Sequence, residues 1–341
     1  MAASLYPPRQ ISLAALLLLT LLALIGLSLL SGSGQLGMQA SLNYLMGQDS
    51  VNPAVQDQLA MVIHDLRLPR TLAGVMVGAS LGVAGALLQS ATRNPLADTG
   101  LLGVNAGAAL GIVIGFTLGA VQSSLDYLLW AFIGALIANM LVLLIAQSGP
   151  NAASPLRLVL AGLALGATFS GATSYILLSH ANAYEQYRFW ILGTLAGASP
   201  AMIWPLVPAF LLGLAAAFVI VRPLSALLLG DDSARALGYQ PTLIRMLVGV
   251  ITTLLSGLAV ALAGPLAFLG LIAPYLARSL SGARLFNQVL CSALLGAIVL
   301  VVADIVARWL SQPYDNPVSI ILALIGAPLL IVLVRSNRLV A

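Results

Sequence analysis

Apolar positions in this chain come in long blocks separated by short polar corners. A hydrocarbon core of about 30 Å, at about 1.5 Å of rise per residue, takes about 20 apolar residues per helical span. Ten blocks meet or approach that length, at about 11–31, 70–91, 99–119, 125–147, 155–179, 201–221, 242–263, 266–280, 286–310 and 317–335. The eighth is short and holds Gly264, Pro265, Gly270 and Pro274, so a tilted or broken helix is expected there. Arg9 ahead of the first block imitates a signal peptide, yet nine more blocks follow and no clear small-x-small cleavage site does. The pattern therefore predicts an all-α membrane protein of about ten transmembrane helices, with residues 1–341 forming one transmembrane domain.

Composition narrows what such a domain does. Of 341 residues, 60% are hydrophobic and 7% charged. Soluble domains run near a quarter charged, so an ordinary globular enzyme is excluded. All 14 basic residues are Arg and none is Lys. A Walker-type phosphate loop needs a lysine ammonium, and a Schiff base needs a lysine amine, so neither chemistry is open to this chain. Cys291 stands alone, and His64 and His180 lie far apart without paired carboxylates, so no metal site is expected. Coupled carriers place ionisable groups deep in their spans. Here Asp304 is the one acid well inside a block, and Glu185 is the sole glutamate. A proton-coupled carrier is the rival reading, and a membrane enzyme lacks an acid/base constellation. What remains is a pathway-forming subunit whose energy comes from another polypeptide.

The arginines set an orientation. With both termini in the cytoplasm, ten fall inside: Arg9, Arg93, Arg157, Arg222, Arg235, Arg245, Arg278, Arg284, Arg335 and Arg338. Four fall outside: Arg67, Arg70, Arg188 and Arg308. Two readings are open for Arg67, Arg70 and Arg308. Asp65 and Asp304 neutralise them, Asp304 and Arg308 having the i,i+4 spacing of a helical ion pair. Alternatively they form a positive outer patch whose guanidinium forks receive an acidic partner.

Helices in lipid associate through close backbone approach. Gly74, Gly78 and Gly82 mark one such face in the second block, together with Gly85. Gly103, Gly107, Gly111, Gly115 and Gly119 repeat every fourth residue in the third, and both blocks are expected to pack tightly along most of their length. Between them, Pro95 stops a helix and Asp98 or Thr99 is placed to cap the next. The longest polar stretch assigned inside, about 222–241, holds a short helix that Asp231, Asp232 or Ser233 could cap and that Gly238 could end left-handed. That helix is either a handle for a cytosolic partner or an ordinary connection.

Several runs carry a further signal. Leu66-Arg-Leu-Pro-Arg-Thr-Leu-Ala73, Gly85-Ala-Leu-Leu-Gln89 and Arg93-Asn-Pro-Leu-Ala-Asp-Thr-Gly-Leu-Leu-Gly-Val-Asn-Ala-Gly107 strongly resemble the FecCD family, the permeases of type II ABC importers for ferric siderophores, heme and cobalamin. So do Ala263-Gly-Pro-Leu-Ala-Phe-Leu-Gly-Leu-Ile-Ala-Pro274, Ala303-Asp-Ile-Val-Ala-Arg308 and Leu324-Ile-Gly-Ala-Pro328. The resemblance covers nearly the whole chain, in order. Two departures are Tyr275, where relatives usually have histidine, and Asp315-Asn-Pro-Val-Ser319, where they usually have acidic-Leu-Pro-Val/Ile-Gly.

The resemblance implies ten helices per subunit in a bacterial inner membrane. It implies a second permease subunit, identical or merely similar, two ATPase subunits that bind the ATP and Mg, and a periplasmic substrate-binding protein, with no cofactor in this chain and no nucleic-acid partner. It assigns Arg67, Arg70 and Arg308 to docking of the binding protein. Asp231, Asp232, Ala234, Arg235, Leu237 and Gly238 fall to the ATPase coupling segment, with Ala234, Leu237 and Gly238 against the ATPase. A ferric siderophore is the favoured cargo, with heme and cobalamin as alternatives. Substrate-lining residues are unassigned, and Tyr184, Tyr187 and Trp190 are either entrance residues or an interfacial aromatic belt.

Overall fold

The computed structural model describes residues 8–32, 37–47, 53–147, 155–310 and 316–335, all helical or connecting. The sequence expectations at Arg338 and Asp315 lie outside the described residues. The helices are α1 (Pro8–Leu30), α2 (Met38–Leu45), α3 (Pro53–Met61), α4 (Leu68–Thr92), α5 (Val104–Thr117), α6 (Ser124–Gln147), α7 (Pro155–Ser179), α8 (Ala181–Ile191), α9 (Pro200–Ile203), α10 (Val207–Leu228), α11 (Asp231–Ala236), α12 (Pro241–Ala263), α13 (Leu269–Ser281), α14 (Leu285–Leu310) and α15 (Val318–Arg335). Each predicted block falls on a helix. By length and apolarity seven of the described helical runs can cross a membrane: α1, α3–α4, α6, α7, α9–α10, α12 and α14. Helices α5 and α15 are shorter apolar segments.

The eighth block is broken as its glycines and prolines suggest. Residues 264–268 are not helical, with Gly264 at φ +72° and Phe268 at φ +69°. Only 13 residues, about 20 Å, remain for α13. Unwound backbone at that depth survives only where protein covers it, and Leu266 and Leu269 are buried.

Helix α4 is the axis of the bundle, buried almost throughout and packed by α10, α12, α13 and α14. A Cβ at Gly78 would strike the Gly296 carbonyl of α14, and one at Gly82 the Ser292 carbonyl. At Gly85 it would strike the Gly270 carbonyl of α13. Gly107 and Gly111 meet the α6 backbone at Gly134 and Trp130 in the same way. The tight faces are shorter than the sequence pattern implies. A Cβ at Gly74 would make only ordinary contacts, 3.4 Å to Val301 and 3.5 Å to Leu195. At Gly115 a Cβ would meet a side chain instead, 2.7 Å from Cγ of Trp130. Gly103 and Gly119 lie outside α5 in left-handed turns, at φ +70° and +66°, where they bend the chain and pack no neighbour closely.

Three helices were not anticipated, α2, α3 and α8, the last following the fifth block. Helices α2 and α3 lie in the segment between the first two blocks, and α3 runs into α4 through a π-helical turn, Val62–Arg67. The Leu68 amide reaches back to the Ile63 carbonyl there. Pro69 explains the wider ladder: it has no N–H, and its ring crowds the carbonyl one turn back.

Candidate functional site

Two polar clusters lie at opposite ends of α4, about 38 Å apart along its axis. The first gathers Arg67 and Arg70 from the π turn and the start of α4 with Asp304 and Arg308 from α14. Arg70 Nε donates to both carboxylate oxygens of Asp304, at 3.0 and 3.2 Å. Arg308 Nη2 reaches Asp304 Oδ2 at 3.0 Å, which is the i,i+4 pair the sequence offers. Asp65 is exposed, and Asp304 is the carboxylate around which the cluster forms.

The other contacts converge on the end of α1. Arg308 Nη1 donates to the Ser28 and Ser31 carbonyls at 3.1 and 2.7 Å, and its Nη2 to Ser28 Oγ at 2.6 Å. Arg67 Nη1 donates to the Leu29 and Leu30 carbonyls at 2.9 and 3.2 Å and to Ser41 Oγ at 2.7 Å. A helix leaves its last carbonyls without intrahelical partners and its C-terminus partly negative, so two guanidiniums cap α1 and fasten it to α4 and α14. Gly32 makes room: a Cβ there would sit 2.6 Å from Nε of Arg67.

As an open, solvent-facing patch, the three arginines are corrected by this geometry. Arg67, Arg70 and Arg308 retain 4, 7 and 1% of their surface. The sequence places them at helix ends but does not show that α1 and α2 fold over them.

The second cluster forms where α4, α10, α11 and α12 meet. Arg245 grips Asp231 with both nitrogens, Nη1 to Oδ2 at 3.0 Å and Nη2 to Oδ1 at 2.8 Å. Arg93 Nη2 reaches Asp231 Oδ1 at 3.3 Å and also donates to the Leu227 carbonyl. Arg93 ends α4 with a left-handed backbone, φ +50°, unusual for a residue with a side chain. Hydrogen bonding from Arg245 holds the Asp231 carboxyl below its ordinary range, aided by the nearby charges of Arg93 and Arg235.

Helix α11 itself starts at Gly230, φ +120°, with Asp231 and Asp232 in its first turn and no side-chain cap. Gly238 ends it at φ +83°, as the sequence suggests. Asp232 pairs with Arg235 at 2.9 Å on the exposed side. Leu237 is 60% exposed and Tyr239 is also outward. Ala234 departs from the expected set: it is fully buried among residues of α4, α10, α12 and α14, so it anchors the helix inward.

A corner follows the second cluster. Asp98 accepts from the Thr99 amide at 2.8 Å and caps a 3₁₀ turn, Thr99–Leu102, that leads into α5. Nearby, Arg278 Nη1 donates to Gln89 Oε1 at 2.6 Å, and Gln89 Nε2 to the Gly270 carbonyl at 3.1 Å, tying α4 to α13. Tyr275 is half-buried. Among the described residues no group of His, Cys, Asp or Glu could hold a metal.

Sequence reasoning treated the fifth block as an ordinary span, but α7 is mostly exposed, and a small, hydroxylated stretch at 164–174 shares its outward side with Leu160, Leu163, Tyr175 and Leu178. Thr168, Ser170, Gly171 and Ser174 face outward. Thr168 and Ser174 satisfy their hydroxyls on carbonyls of their own helix, at 2.9 Å. Gly166 and Gly171 have open space beside them, unlike the packed glycines of α4. The run Ala164-Leu-Gly-Ala-Thr-Phe-Ser-Gly-Ala-Thr-Ser174 carried that signal. Of the three aromatic candidates, Tyr184 is exposed and Trp190 buried, in the wall of a cavity of about 600 Å³ with Phe116, Tyr127 and Met202. Tyr187 stacks at a tilt on Trp190, ring centroids 6.0 Å apart.

The chain matches the FecCD transport family over residues 18–336. It is 41% identical to the ferric enterobactin transport system permease protein FepD of Escherichia coli (strain K12) over 336 residues, 98% of each chain. It is 40% identical to the Fe(3+)-citrate import system permease protein YfmD of Bacillus subtilis (strain 168) over 314 residues, covering 92% of this chain and 91% of that one. A solved metal-chelate type ABC transporter in an inward-facing conformation superposes with a TM-score of 0.82 at 30% identity, covering 95% of this chain and 99% of that one. An all-helical bundle with several apolar helices, matched in this way from near its first residue to near its last, is a multi-pass membrane protein that belongs to the FecCD transport family.

Proposed function

We propose that this chain is the inner-membrane permease subunit of an ATP-driven importer for an iron–siderophore complex handed over by a periplasmic binding protein. The observation that carries this reading is near-full-length similarity to two permeases named for ferric enterobactin and ferric citrate. The lysine-free composition supports it from the other side, because hydrolysis has to reside in a partner ATPase that binds ATP and Mg.

In this reading the chain crosses the membrane ten times with both termini cytoplasmic. Helix α11 and the exposed residues Asp232, Arg235, Leu237 and Gly238 meet the ATPase, Ala234 seats the helix in the bundle, and Asp231 faces the arginines of neighbouring helices. The outward side of α7 meets a second permease subunit across the pathway, and its lack of in-chain packing supports that placement. The arginine end faces the periplasm. There Arg67, Arg70 and Arg308 attract the binding protein's carboxylates, and direct guanidinium forks form only when α1 carbonyls and Asp304 release them.

The test is reconstitution of the chain with its ATPase and binding protein in vesicles, with ferric enterobactin and ferric citrate offered as cargo. ATP-dependent accumulation of either supports the reading. Uptake by the chain alone that an uncoupler abolishes, and that ATP depletion leaves intact, refutes it in favour of a proton-coupled carrier.

A further inference from the structure

The Asp231 cluster does more than tether a loop. Three helix ends meet at one carboxylate: Arg93 closes α4, Asp231 opens α11, and Arg245 sits in the second turn of α12, while the Leu227 carbonyl in the last turn of α10 accepts from Arg93. We propose that Asp231 is a transmission node, through which movement of α11 is passed to α4 by Arg93 and to α12 by Arg245. The inference rests on the reading that α11 is the ATPase-contacting segment and names the residues that carry its motion inward.

The division of labour within α11 supports the assignment. Ala234 gives the helix its apolar seat, so seating does not depend on Asp231. Leu237 and Arg235 face outward and are free to meet a partner. Asp231 does neither: it faces sideways into two arginines that belong to other helices. Its bonds are partly exposed, and partly exposed ion pairs contribute little to stability. They do fix geometry when a guanidinium fork is bidentate, as that of Arg245 is. The recipients suit transmission. Helix α4 is the buried axis of the bundle, and Arg93 stands at the corner that leads through Asp98 and Thr99 into α5. The N-terminal half of α12 packs in the same apolar cluster as Ala234.

The experiment uses the complete complex of this chain and its ATPase in lipid nanodiscs. Hydrogen–deuterium exchange is measured without nucleotide and after trapping with ATP and vanadate, at residues 231–238, 93–98 and 241–248. In the unaltered complex all three segments should respond to nucleotide. With Asp231→Asn the response at 231–238 should persist, while those at 93–98 and 241–248 shrink by at least about five-fold, the low end of ordinary coupling between sites. Arg93→Gln should silence only 93–98, Arg245→Gln only 241–248, and Asp231→Glu should restore both.

Full responses at both distant segments in Asp231→Asn overturn the node. So does a uniform rise in exchange in both nucleotide states, which marks a purely structural role, or loss of the 231–238 response, which marks a docking contact. Absence of any nucleotide response at 231–238 in the unaltered complex overturns instead the placement of the ATPase on α11, and the node with it.

Discussion

Replacing Asp304 by Asn would strand two buried guanidiniums. Arg70 and Arg308 both lean on this carboxylate, with four nitrogen–oxygen contacts between 2.9 and 3.2 Å. All three side chains are at least nine-tenths buried. Breaking a buried pair by removing one member costs about 3–5 kcal/mol, chiefly because the remaining charge stays desolvated. Removing both members with shape retained is far milder. Asp304→Asn should therefore lower the apparent melting temperature of the purified chain in detergent by on the order of 10 °C. Asp304→Asn combined with Arg70→Met should recover a good part of that loss. The double-mutant cycle, read by melting and by resistance to limited proteolysis, should give a coupling of about 2 kcal/mol or more. A loss below about 1 kcal/mol for the single substitution, or strict additivity in the cycle, would show that Asp304 does not organise the cluster.

Three further outcomes follow from the same structure. Gly82→Val places side-chain atoms on the Ser292 carbonyl and should cost about 3 kcal/mol or more, whereas Gly74→Ala should be neutral or gain up to about 1 kcal/mol; yields and melting of the two variants compare them. Leu237→Asp, at an exposed position, should leave folding intact and weaken co-purification of the ATPase by about tenfold or more. The tie between α11 and α12 depends on pH in a fixed direction. Because the folded Asp231 carboxyl titrates below its unfolded value of about 3.9, its contribution is complete above that value and fades as pH falls through the folded one. The Arg245 fork on Asp231, read by exchange of its guanidinium protons, should thus be unchanged at neutral pH and loosen below about pH 4, while Asp231→Asn leaves it loose at every pH and amide protection at 231–238 stays as it was.

Much of the fold was legible because lipid imposes length and apolarity on each helix, a demand local enough to read residue by residue. The long apolar helices and the break near Gly264 are of that kind, and the left-handed stop at Gly238 is a turn signal just as local. The sites were less legible because their contacts are not local. Arg308 and the Ser28 carbonyl it caps are 280 residues apart, and Arg93 and Asp231 are 138 apart. The motif around Arg67 left neutralisation by aspartates and an open outer patch both standing, since nothing in its spacing shows α1 ending over it. Ala234 illustrates the same limit: a small residue on a short helix has no signature that tells an inward seat from an outward contact. Glycine spacing overreached at Gly103 and Gly119, where the fourth-residue period continues past the helix into turns.

Backbone against backbone at Gly78, Gly82 and Gly85 has one last consequence. A helix separated from its neighbours by side chains can roll or slide, with rotamers yielding as it goes. Helix α4 has no such bearing surface, because carbonyl oxygens of α13 and α14 occupy the grooves that its missing Cβ atoms leave. Rotation or axial slip by a fraction of a turn drives Cα into carbonyl. Movement is left to the group α4, α13 and α14 travelling as one piece, and the joints of the molecule then lie at the edges of that piece rather than within it.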